Sequence, residues 1–236
     1  MQEQTSRIMK LAVRYFLASD VKTKDGKPRC YEEQLVLDRN THSITYTQTT
    51  SPRYQITKTC YVEDGIARLL DELDPELFSE TPDSEQLAPC VYAIPEYQIM
   101  ISFEDGTEQI YEGIFDELGL PCAWEEFLYA VKKFTRPLHH DELFDSNGYR
   151  RHYRRVGDLI VCQVSFDFTM RTYTYLAHDD VYEEYDAVIV PVGSANEEKQ
   201  AYIESVRYCK KEEINFPFDK LKYIIRKIDE DDDKYD

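Results

Sequence analysis

The C-terminal fold is decided by the stretch Tyr185-Asp186-Ala187-Val188-Ile189-Val190-Pro191-Val192-Gly193. Its centre is β-branched and it closes with a proline and a glycine, which is typical of a short strand buried on both faces. Further short strands are expected on either side of it, over residues 173–176, 201–209 and 221–228. Strands this short and this closely spaced predict a small curled sheet or β-barrel.

The N-terminal half has the pattern of an antiparallel sheet. Apolar residues alternate with polar ones, and Tyr, Thr, Val and Ile are frequent between turn residues. Strands are predicted over residues 8–18, 31–37, 43–49, 54–61, 90–94, 97–103 and 108–114. The connections between the first four are too short for parallel crossovers, so they should form an antiparallel meander.

Two amphipathic helices are predicted in the same half, because apolar residues recur there at i, i+3, i+4 and i+7. The first repeat follows Asp64, a candidate helix cap, and consists of Ile66, Leu69, Leu70 and Leu73. The second consists of Trp124, Phe127, Leu128 and Val131. Trp124 is expected to be a core residue beneath the second helix.

The predicted fold class is α+β, with an N-terminal antiparallel sheet and two packed helices followed by a small C-terminal β-barrel. Residues 136–148 are polar, contain chain breakers and show no periodicity, so the domain boundary is placed there. The predicted organisation is an α+β domain over 1–137, a linker over 138–148 and a barrel over 149–228. Residues 229–236 are a like-charge run and are expected to form an acidic disordered tail.

Charge and cysteine usage limit the classes of function. The 236-residue chain has a formal net charge of −18, with 14 basic and 24 acidic residues up to position 137 and 14 basic and 22 acidic residues after it. A field of this sign repels phosphate backbones and anionic lipid. The six cysteines, at 30, 60, 90, 122, 162 and 209, lack the spacing of zinc or redox pairs, and no signal peptide or membrane span is apparent. A cytoplasmic protein is predicted.

A family resemblance adds to this interpretation of the residues. The chain carries Tyr-x-Tyr-Leu at 173–176, Asp-x-Val-x-Val-Pro-Val-Gly at 186–193, Val-x-Tyr-Cys at 206–209 and Ile-Ile-Arg-Lys at 224–227. In this order the segments resemble the C-terminal domain of uncharacterised two-domain cytosolic proteins of Gram-positive bacteria. They are more distantly similar to the SH3-like or OB-like barrel that begins primosomal helicases. The resemblance implies a barrel, and the second likeness implies contact with the 3′ end of a DNA strand.

One concentrated basic run, Arg150-Arg151-His152-Tyr153-Arg154-Arg155, is a candidate nucleic-acid contact. Guanidinium groups bind phosphates, and an interleaved tyrosine can stack on bases. The alternative is that these arginines pair with the protein's own carboxylates, and we favour it because nucleic-acid modules carry a larger basic surface. The possible ligand contacts are Arg150, Arg151, Tyr153, Arg154, Arg155, Tyr173 and Tyr175.

A catalytic or metal site has weaker support in the sequence. His139, His140, Asp141 and Glu142 are metal-binding residue types, but their spacing fits no known metal motif, so a solvated linker is favoured. No nucleophile elbow or glycine-rich loop occurs. No catalytic residue, cofactor or metal ligand is therefore assigned.

The leading hypothesis is a cytosolic, non-catalytic binding protein whose ligand is a protein or peptide. The alternative is a nucleic-acid-associated protein that uses the barrel and the arginine run. A third hypothesis is a metal-dependent enzyme with its metal near His139 and His140. Because the C-terminal half is itself acidic, we expect binding to single-stranded DNA to be weaker than about 10 μM.

Overall fold

A computed structural model describes residues 6–22, 28–51, 54–81, 86–89, 93–135, 142–166 and 171–228. The chain divides into two compact units. The first comprises Met1–Ser84 and Val91–Arg151, and the second comprises Glu85–Cys90 and His152–Asp236. Each unit is built on one six-stranded sheet, and helices are few, so the expected mixture of sheet and helix is confirmed.

The first unit contains a large antiparallel sheet with strand order β4-β3-β2-β1-β5-β6. Its strands are β1 (Ile8–Lys22), β2 (Pro28–Asp38), β3 (Ser43–Ser51), β4 (Tyr54–Tyr61), β5 (Pro95–Phe103) and β6 (Glu108–Ile114). The predicted meander is present. Strand β1 is longer than expected and pairs with both β2 and β5, so it lies at the centre of the sheet.

Two helices cover one face of this sheet, α1 (Gly65–Glu72) and α2 (Trp124–Thr135). The alternation along β5 buries Tyr97, Ile99, Ile101 and Phe103 in one core with both helices. Asp64 stands at the N-cap of α1, but its side chain makes no capping hydrogen bond. Gly65 is required at the start of α1, because a Cβ there would lie 2.6 Å from the ring of Phe134.

Two predictions in this unit need correction. A strand was predicted over residues 90–94. Residues 90–92 lie outside the described part of the chain, and residues 93 and 94 are irregular, since β5 begins only at Pro95. The end of the predicted linker is structured, since residues 142–144 form a 3₁₀ turn and α3 follows (Ser146–Tyr149). Leu143 and Phe144 are buried in the core of the first unit. That the predicted domains fold independently stays a prediction.

The second unit contains a curled, half-barrel sheet with strand order β11-β8-β7-β10-β9-β12. Its strands are β7 (Leu159–Ser165), β8 (Thr172–Ala177), β9 (Ala187–Val192), β10 (Glu197–Cys209), β11 (Lys222–Tyr223) and β12 (Arg226–Lys227). The inner faces of β7 to β10 form its core, to which Cys162, Tyr175, Val190 and Ile203 belong. A short segment at residues 86–88 joins this unit, because Ala88 N–H donates to Arg154 O over 2.9 Å.

The predicted strand over 221–228 is interrupted into two short strands. Strand β11 is parallel to β8, whereas β12 is antiparallel to β9. Between them, Ile224 N–H donates to Leu176 O and Ile225 N–H donates to Ile189 O. Successive amides of an extended chain point to opposite sides, so this segment joins the two edges of the curled sheet. No described helix is long and apolar enough to cross a membrane.

Candidate binding groove

A cavity of about 870 Å³ lies at one end of the inner face of the curled sheet, and we name it the groove. Four aromatic side chains line it: Phe166, Tyr173, Tyr175 and Phe216. Their positions follow from the two-residue period of the strands, because Tyr173 lies on the same face of β8 as the buried Tyr175. The periodicity that builds the core therefore also places aromatic rings where the core opens to solvent.

The rings of the groove differ in accessibility. Tyr173 is 38% exposed and Phe216 is 51% exposed, so both offer ring surface to a ligand. Tyr173 meets Phe166 edge to face at 5.3 Å between centroids, and the guanidinium carbon of Arg171 lies 5.3 Å from the Tyr173 ring centre. Tyr175 is held in place, since its hydroxyl donates to Pro191 O over 3.1 Å. Burial raises the pKa of Tyr175, which keeps this hydroxyl a donor.

Three lysines border the same cavity: Lys199, Lys220 and Lys222. Lys222 is engaged with the β9–β10 turn, because its ammonium donates to Gly193 O and, over 2.6 Å, to Asn196 Oδ1. Within the described residues, Lys199 and Lys220 form no ion pair. The described residues that line the groove include no carboxylate. The groove is therefore a cationic and aromatic surface in an acidic chain.

The structure brings two of the predicted contacts together. Tyr173 and Tyr175 both line the groove. The basic run is divided between the units instead, since Arg150 and Arg151 belong to the first unit and Tyr153, Arg154 and Arg155 belong to the second.

Two side chains of the basic run, those of Arg150 and Arg155, are held by the protein itself. Arg150 Nε donates to Glu125 Oε1 over 2.8 Å, and this hydrogen bond lowers the pKa of Glu125. Arg155 is 2% exposed and donates to Tyr153 O over 2.9 Å. The Nε of Arg154 is buried and has no hydrogen-bond partner within the described residues. The guanidinium groups of Arg150 and Arg155 are thus engaged within the protein, and contact of the run with a ligand stays a prediction.

Sequence reasoning missed the lysines, Phe166 and Phe216. Lys199 did carry a signal, because it is in phase with Ala201 and Ile203 on β10 and so occupies the inner face. Lys199 is in phase with core residues but stands near the end of the strand. A charged residue in such a position indicates that the inner face of the sheet is accessible to solvent there. Lys220 and Phe216 lie in short irregular segments, for which no periodicity exists to predict their direction.

A second polar cluster in this unit is centred on Asp158, whose side chain is 1% exposed. It accepts from Arg155 N–H over 2.7 Å, lies 3.1 Å from Lys210 Nζ and lies 3.2 Å from His152 Nε2. Burial alone would raise the pKa of Asp158, but the hydrogen bonds from Arg155, Lys210 and His152 outweigh it, so the pKa is lowered. The cluster holds the chain where it enters β7.

This cluster predicts an acid-dependent loss of stability. The folded-state pKa of Asp158 lies below the ordinary value of 3.8, so its contribution is complete above that value and is lost as the pH falls through the folded pKa. Asp158→Asn should lower the free energy of unfolding by about 2 kcal/mol at pH 7. Urea unfolding at pH 7, 5, 4 and 3 should show this difference shrinking below about pH 4. An equal difference at pH 7 and pH 3 would contradict the assigned role.

Two buried cysteines, Cys162 and Cys209, are among the described residues with chemically reactive side chains. Burial, with a smaller effect of Asp180, raises the pKa of Cys162 to about 12, and burial also raises the pKa of Cys209. Both are protonated thiols at neutral pH and poor nucleophiles. Across the described ranges, no group of three His, Cys, Asp or Glu side chains could hold a metal ion. His139, His140 and Asp141 lie outside those ranges.

Comparison with known proteins gives no assignment: no family model, no curated protein and no solved structure matches this chain.

Proposed function

We propose that this chain is a non-catalytic binding protein of the cytosol whose second unit holds an acidic segment of another protein in the groove. One observation carries the proposal: Lys199 and Lys220, without ion pairs among the described residues, border a cavity walled by the exposed rings of Tyr173 and Phe216. An anionic side chain of the ligand would form ion pairs with the lysines, and an aromatic or apolar side chain would pack against the rings. Free thiols at Cys60, Cys122, Cys162 and Cys209 support a reducing compartment.

The sheet of the second unit fits such a role. We propose that it is a small SH3-like or OB-like barrel, and the support is that residues 222–227 pair with both edge strands. Ligands commonly bind in the mouths of β-barrels. Aromatic-lined grooves on small barrels of this kind bind extended peptides. A cavity of about 870 Å³ is large enough for several side chains of such a peptide.

A second candidate is binding of single-stranded nucleic acid, which the combination of aromatic rings and lysines favours. Bases stack on exposed rings, and phosphates pair with cations. The net negative charge of residues 138–236, with 14 basic and 22 acidic residues, opposes every anionic ligand, and it opposes a nucleic acid most because each nucleotide along the strand carries a phosphate. Phosphate binding gains affinity with each cation engaged, and Lys199 and Lys220 supply two. Within the arginine run, Arg155 is buried and Arg150 is paired with Glu125, so these two side chains are engaged within the protein.

Fluorescence anisotropy with two labelled probes separates these functions. The probes are a ten-residue peptide of alternating Asp and Tyr and a twelve-residue oligo(dT), each at 50 and 150 mM salt. We expect micromolar binding of the peptide, and binding of oligo(dT) weaker than about 10 μM at 150 mM salt. Replacing both Lys199 and Lys220 with Ala should weaken peptide binding about tenfold, and Tyr173→Ala should weaken it about fivefold.

The matched control replaces Lys132 and Lys133 with Ala, which removes the same charge from exposed positions on α2. This control should leave the affinity within about twofold. Sub-micromolar binding of oligo(dT) that is lost in the groove variant would establish the second candidate instead. Binding of either probe that is insensitive to the groove variants would overturn the assignment of the groove.

A further inference from the structure

The chain itself contains a segment with the chemistry that the groove would recognise. Residues 229–236 read Asp-Glu-Asp-Asp-Asp-Lys-Tyr-Asp and carry six carboxylates and one aromatic ring. Building on the proposed function, we propose that this acidic segment occupies the groove of its own chain and so competes with the external ligand. The groove would then be regulated by the negative charge of residues 229–236.

The charge distribution supports this pairing. Residues 138–236 contain 14 basic and 22 acidic residues, of which residues 229–236 supply one basic and six acidic residues. The preceding residues 138–228 are therefore nearly balanced, with 13 basic and 16 acidic residues. The excess negative charge of this half is concentrated in one short segment. Among the described residues that line the groove, Lys199 and Lys220 are cations without an ion pair to satisfy them.

The attachment point of the segment allows it to reach the groove. Ile228 N–H donates to Ala187 O over 2.8 Å, and Lys227 Nζ lies 2.6 Å from Asp186 Oδ2, so both hold the chain at the start of β9. Val192, at the far end of β9, lines the groove. At about 3.3 Å per residue, this strand separates the two points by about 17 Å. Eight residues can span up to about 28 Å, so Tyr235 can reach the exposed rings.

Covalent attachment makes even a weak contact effective. A short linker gives the tethered segment an effective concentration on the order of 1 mM. If the free segment bound the groove with a Kd of about 100 μM, the tethered segment would occupy it about nine-tenths of the time. The apparent affinity for an external ligand would then fall about tenfold. This is the size of effect that the first experiment should resolve.

The first experiment neutralises the segment within the full chain. Asp229, Asp231, Asp232, Asp233 and Asp236 are replaced with Asn, and Glu230 with Gln. The probe is the labelled Asp-Tyr peptide, and we expect its affinity to rise about tenfold. A matched control makes the same change of charge at exposed glutamates of the first unit, replacing with Gln the residues Glu63, Glu72, Glu76, Glu80, Glu104 and Glu126. Equal gains in both variants would show an unspecific effect of net charge and overturn the inference.

The second experiment detects the contact directly. A carbodiimide joins a carboxylate to an amine that touches it, and mass spectrometry locates the bond. We expect cross-links within one chain from residues 229–236 to Lys199 or Lys220, and their loss at 1 M salt, where the Debye length is about 3 Å. Cross-links from the segment to other lysines alone would overturn the inference.

The two experiments separate the inference from the proposed function. If the neutralised chain binds the peptide in the groove no more tightly than the native chain, the inference fails and the proposed function stands. If the cross-links form but no external probe binds either chain, the groove serves the chain's own segment. The proposed function would then fail while the contact stands.

Discussion

Trp124→Ala is expected to lower the free energy of unfolding of the first unit by about 4 kcal/mol. Trp124 is 2% exposed, and its ring lies against those of Phe115 and Phe127, each at 5.7 Å between centroids. Truncation would leave a large cavity between α2 and the sheet, because the closely packed neighbours can relax only partly to fill it. Because Trp124 is the only tryptophan, unfolding in urea should be followed by far-ultraviolet circular dichroism.

Trp124→Phe provides the matched control. The indole Nε1–H of Trp124 is buried and has no hydrogen-bond partner within the described residues. Phenylalanine removes that unsatisfied donor and keeps most of the ring contacts, so we expect a loss below about 1.5 kcal/mol. A loss below about 0.5 kcal/mol for Trp124→Ala, together with reduced peptide binding, would instead identify Trp124 as a contact residue.

The elements with a regular apolar period could be predicted from the sequence. The helix repeats at Ile66–Leu73 and Trp124–Val131 each mark one buried helix face, and the structure places α1 and α2 there. The strands of the first sheet are visible for the same reason, because one face of an antiparallel sheet is buried. These patterns are local, because each repeat can be recognised within a few residues of the chain before its packing partner is known.

Elements held by distant partners could not be predicted in this way. Residues 142–144 were placed in the linker because the segment is polar and has no periodicity, but the N–H groups of Glu142 and Leu143 donate to the side chain of Glu33 on β2. The segment 222–227 looks like one strand, yet its amides pair with two different strands. The sequence shows whether such a residue is polar or apolar, but it does not show which distant group the residue will contact.

The candidate site shows the same division. Tyr173 and Tyr175 were named as possible contacts because of the barrel resemblance, and they lie on one predicted strand, whereas the lysines come from β10, a short turn and β11. The arginine run shows the opposite case. Its members are adjacent in sequence, but Arg150 pairs with Glu125 in the first unit and Arg155 is buried in the second. Closeness in sequence therefore does not by itself define one binding surface, because the chain passes here from one unit to the other.

Under the proposed function, the distribution of charge would make the groove selective for acidic ligands. An acidic protein attracts basic partners over long distances, whereas a cationic groove selects an acidic ligand at contact. Since the Debye length is about 8 Å at physiological salt, the lysines act mainly on groups inside the groove. A ligand therefore gains affinity from carboxylates that lie beside Lys199 and Lys220, and long-range attraction contributes little.

Glu33→Ala is expected to lower the free energy of unfolding by about 3 kcal/mol, again through the first unit. Glu33 is completely buried on β2 and accepts three hydrogen bonds. Its two carboxylate oxygens receive the N–H groups of Glu142 and Leu143, each over 2.9 Å, and the hydroxyl of Tyr31 donates to the same carboxylate. Alanine would leave these donors without their acceptor, including the buried N–H of Leu143.

The neighbouring Glu32 provides the control, because alternation places it on the opposite face of β2. The side chain of Glu32 is 37% exposed and pairs with Arg14 over 2.9 Å. Glu32→Ala should therefore lower the free energy of unfolding by less than about 1 kcal/mol. Hydrogen exchange should locate the difference: Glu33→Ala should expose the amide of Leu143, whereas Glu32→Ala should leave it protected. Comparable stability losses for the two variants, with the Leu143 amide protected in both, would show that Glu33 does not hold residues 142–144 against the first sheet.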